Sequence, residues 1–213
     1  MRQYLERQEI HAQEGVRIVY TGARLDQADL DVWETVLHIA REQELGDECK
    51  VTAYRLLKKL GKMDTGANRA TLNCRLSRMK ATAVDVRVSG FGGYEGSLID
   101  EVYRAEESRE YVIRLNPRLG ALFAKNQFTL VNWSVRRGLD GKPLAQWLHS
   151  FYSTHSKHVF PLKMETLIKL SGASSENPRS ARQTLKKALD ALAHAQDGFN
   201  YDIRDGLVHV VRT

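Results

Sequence analysis

The sequence predicts an α+β chain of two tandem winged-helix domains, each a helix-turn-helix followed by a β-hairpin. Three observations predict it. Residues 159–195 read as a short helix, a polar turn and a longer basic helix. Phe199–Arg204 and Leu207–Arg212 then flank Asp205-Gly206, a dipeptide that marks a two-residue hairpin turn. Residues 16–131 run through three helices and then a hairpin, the same order with extra strands. The expected divisions are an N-terminal arm at 1–15, a first domain at 16–135, a linker at 136–142 and a second domain at 143–213.

The bulk numbers fit that size. The chain has 213 residues, 42% hydrophobic and 27% charged, with a formal charge of +6. The positive balance favours an anionic partner, and no apolar run reaches membrane-spanning length. The N-terminus lacks the apolar core of a signal peptide, so a cytoplasmic protein is expected. Cys49 and Cys74 form no zinc-ligand spacing with each other or with a histidine, so reduced thiols are expected, with no metal and no cofactor.

In the first half, residues 1–14 are polar and mixed in charge and read as a frayed helix or arm. The β-branched run at 16–20 reads as a strand, and Thr21-Gly22 as a turn. Residues 26–43 read as a helix with Leu30, Trp33, Val36, Leu37 and Ala40 on its apolar face. Asp26, Asp29, Asp31 and Glu34 crowd its first turns, where carboxylates stabilise the helix macrodipole. A second helix is expected at 52–60, and a third at 68–80 with Leu72, Leu76 and Met79 buried. Arg69, Arg75, Arg78 and Lys80 flank that stripe and suit phosphate contacts. Ala70, Cys74 and Ser77 lie opposite it, too small and neutral to read bases well. The strand at 82–89 is expected to turn through Gly-rich residues 91–96 and return at 97–104. Further strands are expected at 110–115 and, buried, at 128–131, with a helix-like run at 119–124.

In the second half, Pro143 opens a helix at 144–154. A short helix at 162–170 ends at Ser171-Gly172. Asn177 is a good N-cap and Pro178 suits the first helical position. Ala181, Leu185, Ala188, Leu189 and Leu192 then form one apolar stripe. With residues about 100° apart, Arg179, Ser180, Gln183, Lys186 and Lys187 fall on the opposite side. No acidic residue occurs between Asn177 and Lys187. Arg179 and Gln183 suit base edges in a DNA major groove. Lys186, Lys187, Lys163 and Arg182 suit phosphates, as does Arg204 on the wing.

Two other functional classes compare with this one. A nickase needs paired metal-binding histidines and a nucleophilic tyrosine. His149, His155 and His158 are the nearest candidates, and their spacing makes no His-apolar-His triplet, so no enzyme activity is expected. A dimeric winged-helix transcriptional repressor bound to operator DNA is the alternative function.

Val16-Arg-Ile-Val-Tyr-Thr-Gly22, Asp29-Leu-Asp-Val-Trp33, Ser150-Phe-Tyr-Ser-Thr-His155 and Phe160-Pro-Leu-Lys-Met-Glu-Thr166 resemble the TrfA family over roughly residues 16–212. That resemblance implies a plasmid replication initiator built from two winged helices. It implies binding to iteron direct repeats in double-stranded plasmid origin DNA, help in opening an adjacent A+T-rich segment, and recruitment of host DnaA and the replicative helicase. It also implies a monomer–dimer balance, with the first domain supplying the self-association surface. Longer family members carry an upstream Gln-x-x-Leu-Phe-like motif for the polymerase sliding clamp. Residues 1–15 contain none, and Gln127-Phe-Thr-Leu130 is only a loose echo on an expected buried strand, so clamp binding is not expected of this chain.

Overall fold

The computed structural model describes residues 2–10, 15–43, 48–89, 92–104, 110–117, 129–155, 159–173 and 177–212. It divides into two units, Met1–Gln127 and Phe128–Thr213.

In the first unit, strands β1 (Tyr4–Ile10) and β2 (Val16–Ala23) precede helix α1 (Gln27–Glu42). Then come β3 (Glu48–Thr52), α2 (Ala53–Lys59), α3 (Gly66–Lys80), β4 (Ala83–Val88), β5 (Gly92–Gly96), β6 (Ile99–Arg104) and β7 (Glu110–Leu115). The series α1-β3-α2-α3-β6-β7 is a winged helix whose three strands order as β3-β7-β6. Its core joins Val36 and Ile39 of α1, Leu56 of α2, Leu72 and Leu76 of α3, and Ile113 of β7. A second sheet, β1-β2-β4-β5, is built from the strands outside that series.

Several expectations change here. The arm is a strand: β1 pairs antiparallel with β2, and Arg24 N–H donates to the Gln3 carbonyl at 2.9 Å. Gly22 does not end β2 but lies within it at φ +143, where a Cβ would sit 3.1 Å from Tyr20 Oη. A further strand, β3, lies at Glu48–Thr52, where none is expected. The expected hairpin of 82–89 with 97–104 joins the wrong strands, because β4 pairs with β5 while β6 pairs with β7 in the other sheet. The Gly-rich stretch is therefore largely a strand and not a hairpin tip. On α1 the buried face is rotated from the expected one, onto Asp29, Val32, Thr35, Val36, Ile39 and Ala40. The helix-like run at 119–124 lies outside the described residues, as does Phe128. Residues 129–131 form no strand, and Leu130 is 78% exposed.

In the second unit, α4 (Trp133–Gly138) and α5 (Pro143–Ser153) lead into β8 (Leu162–Lys163), α6 (Met164–Leu170), α7 (Pro178–Ala195), β9 (Phe199–Arg204) and β10 (Leu207–Arg212). The series α5-β8-α6-α7-β9-β10 repeats the order of the first winged helix, and the strands again place the last one centrally, as β8-β10-β9. The expected linker is not a spacer. Its first residues end α4, Arg136 is buried and donates to Ser150 Oγ at 2.9 Å, and Leu139 is buried in the second core. The short helix begins two residues later than expected, because Leu162 and Lys163 pair with Val208 and Leu207 of β10.

Candidate nucleic-acid interface

Local chemistry fixes α7. Asn177 Oδ1 accepts from Arg179 N–H at 2.9 Å and Ser180 N–H at 3.4 Å, satisfying two amides that an α-helix leaves unpaired. Leu185, Leu189 and Leu192 are wholly buried among Leu148, Tyr152, Leu167, Phe199 and Val208. Burying one such leucine stabilises by about 1.5–3 kcal/mol relative to leaving it in water. Three of them on one stripe fix the helix's rotation. Arg179, Ser180, Gln183, Lys186 and Lys187 are consequently all exposed, as expected. Among the described residues, no carboxylate pairs with Arg179, Lys186 or Lys187.

Lys163 is exposed at the start of α6. Arg182 is exposed too, but Glu165 of α6 takes its guanidinium: Nε and Nη2 lie 2.8 and 2.7 Å from Glu165 Oε1. Glu165 is not among the expected site residues, because the pair joins residues 17 apart on two helices. On the wing, Arg204 Nε donates to Asp202 at 2.6 Å. The Asp205-Gly206 turn has φ of 52° and 74°, as a twist-matched two-residue hairpin requires.

The first unit presents a different picture. Arg69 is exposed and grips Asp64 with two hydrogen bonds, at 2.6 and 2.7 Å. Lys80 is exposed at the end of α3. Arg75 and Arg78 do not project as phosphate contacts. Both reach Asp29, a wholly buried carboxylate, at 3.0 and 2.5 Å. Arg2 reaches the same carboxylate at 2.8 Å. Asp29 is also half of a reciprocal cap, its carboxylate accepting from the Asp26 N–H and its N–H donating to Asp26. Burial pushes the Asp26 carboxyl up. The Asp29 N–H and the charges of Arg75 and Arg2 outweigh that and hold it below its ordinary range. An exposed pair such as Arg69–Asp64 contributes little to stability, since water screens it, and can exchange for a phosphate. Stripping a buried carboxylate of its cations costs several kcal/mol, so Arg75 and Arg78 stay with Asp29.

The three candidate histidines are placed differently. His149 is buried, and burial together with Arg136 and Arg212 lowers it to about 4, so it is neutral at pH 7. His155 bonds through Nδ1 to the Phe151 carbonyl. His158 lies outside the described residues. Among the described residues, no cluster of His, Cys, Asp and Glu could hold a metal ion, and no helix is long and apolar enough to cross a membrane.

Two winged helices in one chain, the second with a long helix whose exposed face is basic, define a tandem winged-helix protein. The chain belongs to the family described as TrfA protein, which it matches over residues 1–212. It is 28% identical over 208 residues to the plasmid replication initiator protein TrfA of Escherichia coli, covering 95% of this chain and 53% of that protein. The chain thus spans about half the length of that relative. Domains 2 and 3 of RctB share the fold at a TM-score of 0.68 and 13% identity, covering 100% of this chain and 92% of that one. The Pi initiator protein, solved in complex with iteron DNA, shares it at 0.53 and 12%, covering 91% and 97%.

Proposed function

We propose that this chain binds iteron direct repeats in double-stranded plasmid origin DNA, promotes opening of the origin and recruits host replication proteins, DnaA and the replicative helicase among them. The observation that carries the DNA reading is the exposed face of α7, where Arg179, Gln183, Lys186 and Lys187 stand opposite a buried leucine stripe. Arg179 and Gln183 read base edges, and Lys186, Lys187 and Lys163 hold phosphates. The wing adds Arg204. In the first unit, Arg69 and Lys80 grip the backbone, and that unit also supplies the self-association surface. Family membership and the likeness to an initiator solved with iteron DNA support the choice of target. The work is positional and electrostatic, with no bond made or broken by the protein.

Footprinting the protein on its own plasmid tests this. Protection of repeats in a single orientation beside an A+T-rich segment, with strand opening detected there by permanganate, is the expected result. Protection of one palindrome at a promoter, with no opening, points instead to a transcriptional repressor.

A further inference from the structure

Glu165 lies in the first turn of α6 and Arg182 near the start of α7, so their pair bridges the two helices of the helix-turn-helix. Both Nε and Nη2 of Arg182 approach one oxygen, Glu165 Oε1. The side chains are 57% and 55% exposed, so the pair sits on the outer surface and not in the core. The Glu165 carboxyl is held below its ordinary range by a bond from its own backbone N–H and by Arg182, so it is charged at neutral pH.

A carboxylate at the border of the cationic α7 face is costly for holding DNA. It cancels Arg182's charge where a phosphate would sit, and phosphate binding depends on net positive charge. What the pair adds is direction. With the Nε edge gripped, both N–H groups of Nη1 and one of Nη2 are left pointing onward. Two donors at a fixed spacing match the O6 and N7 acceptors of guanine. The side-on pairs Arg69–Asp64 and Arg204–Asp202 join residues only 5 and 2 apart and tie no second helix to the first. We propose that Glu165 is a positioning residue that aims Arg182 at the major-groove edge of a guanine, so that Arg182 reads sequence and does not serve as a backbone contact. This rests on the reading of α7 as the helix that enters the major groove.

The test measures binding of the full chain to its footprinted repeat and to variants with each base pair changed, at several salt concentrations. Arg182→Ala and Glu165→Ala are each expected to lose preference at the same G·C pair by roughly tenfold or more. The double variant loses no more than either single one. Glu165→Gln keeps an oxygen acceptor and retains most of the preference. The salt slope of Arg182→Ala changes by much less than one unit. The proposal is overturned if Arg182→Ala weakens all sequences alike and lowers the slope by about one. It is also overturned if Glu165→Ala tightens binding uniformly, or lowers the melting temperature with base preference intact. If Arg179→Ala and Gln183→Ala relax base preference while Glu165→Ala is silent, this proposal fails and the reading of α7 stands. If no α7 substitution alters base preference, both fail.

Discussion

A single buried carboxylate, Asp29, decides which arginines of α3 are available to a partner. It collects Arg2, Arg75 and Arg78 while capping α1. Asp29→Ala is expected to destabilise the first unit by about 2–3 kcal/mol, less than a fully buried pair loses, because the arginines keep part of their hydration. Urea unfolding followed by circular dichroism checks it. Arg75→Ala is expected to cost stability and leave the salt slope of DNA binding unchanged, the reverse of Lys187→Ala. His149 is expected to make the second unit acid-sensitive. Its folded value, about 4, lies below the ordinary 6.5, so the unfolded chain binds the proton first. That contribution is complete above pH 6.5 and is lost as pH falls towards 4, in all about 3 kcal/mol. His149→Phe is expected to flatten the melting temperature over that window; an unchanged slope would assign the acid sensitivity elsewhere.

Elements differ in how much of them could be read ahead. The α7 helix was legible almost residue by residue, because a cap, a proline and an apolar stripe are local signals. The last hairpin was legible for the same reason: its turn residues adopt the left-handed backbone that Asp-Gly favours. Gly206→Ala is expected to cost about 1–2 kcal/mol from backbone strain alone, since its Cβ would meet no neighbour within 4 Å. Strand partners were not legible. β4, β5, β6 and β7 follow one another in sequence, yet β5 and β6 belong to different sheets, and pairing is decided by contacts that sequence order does not encode. The α1 face was misjudged because periodicity counts an aspartate as outward. Asp29 is inward only because three arginines distant in sequence meet it. The same limit hid Glu165, which becomes part of the candidate site only when α6 and α7 cross.

At the scale of the molecule, each unit has its own apolar core, one spanning Val32 to Leu115 and one spanning Leu139 to Val210. The two winged helices repeat one order of elements, and among the described residues the α7 face of the second leaves Arg179, Lys186 and Lys187 without a carboxylate partner. Two thermal transitions are expected. Leu189→Ala, which opens a hole in the second core, is expected to destabilise the second unit by about 2–5 kcal/mol and to lower only its transition. Calorimetry on the full chain checks this, and a single transition moving as a whole would contradict it.

The central claim is that α7 chooses the sequence and the first unit holds the backbone. Base preference at every position of the bound repeat, measured for Arg179→Ala and Gln183→Ala beside Arg69→Ala and Lys80→Ala, tests it most directly. The α7 substitutions are expected to lose about 1–3 kcal/mol at one base pair each, with the rest of the preference intact. The α3 substitutions are expected to weaken all sequences alike and to reduce the salt slope by about one unit each. Unchanged base preference after both α7 substitutions, or preference lost through Arg69 or Lys80 instead, would contradict the account.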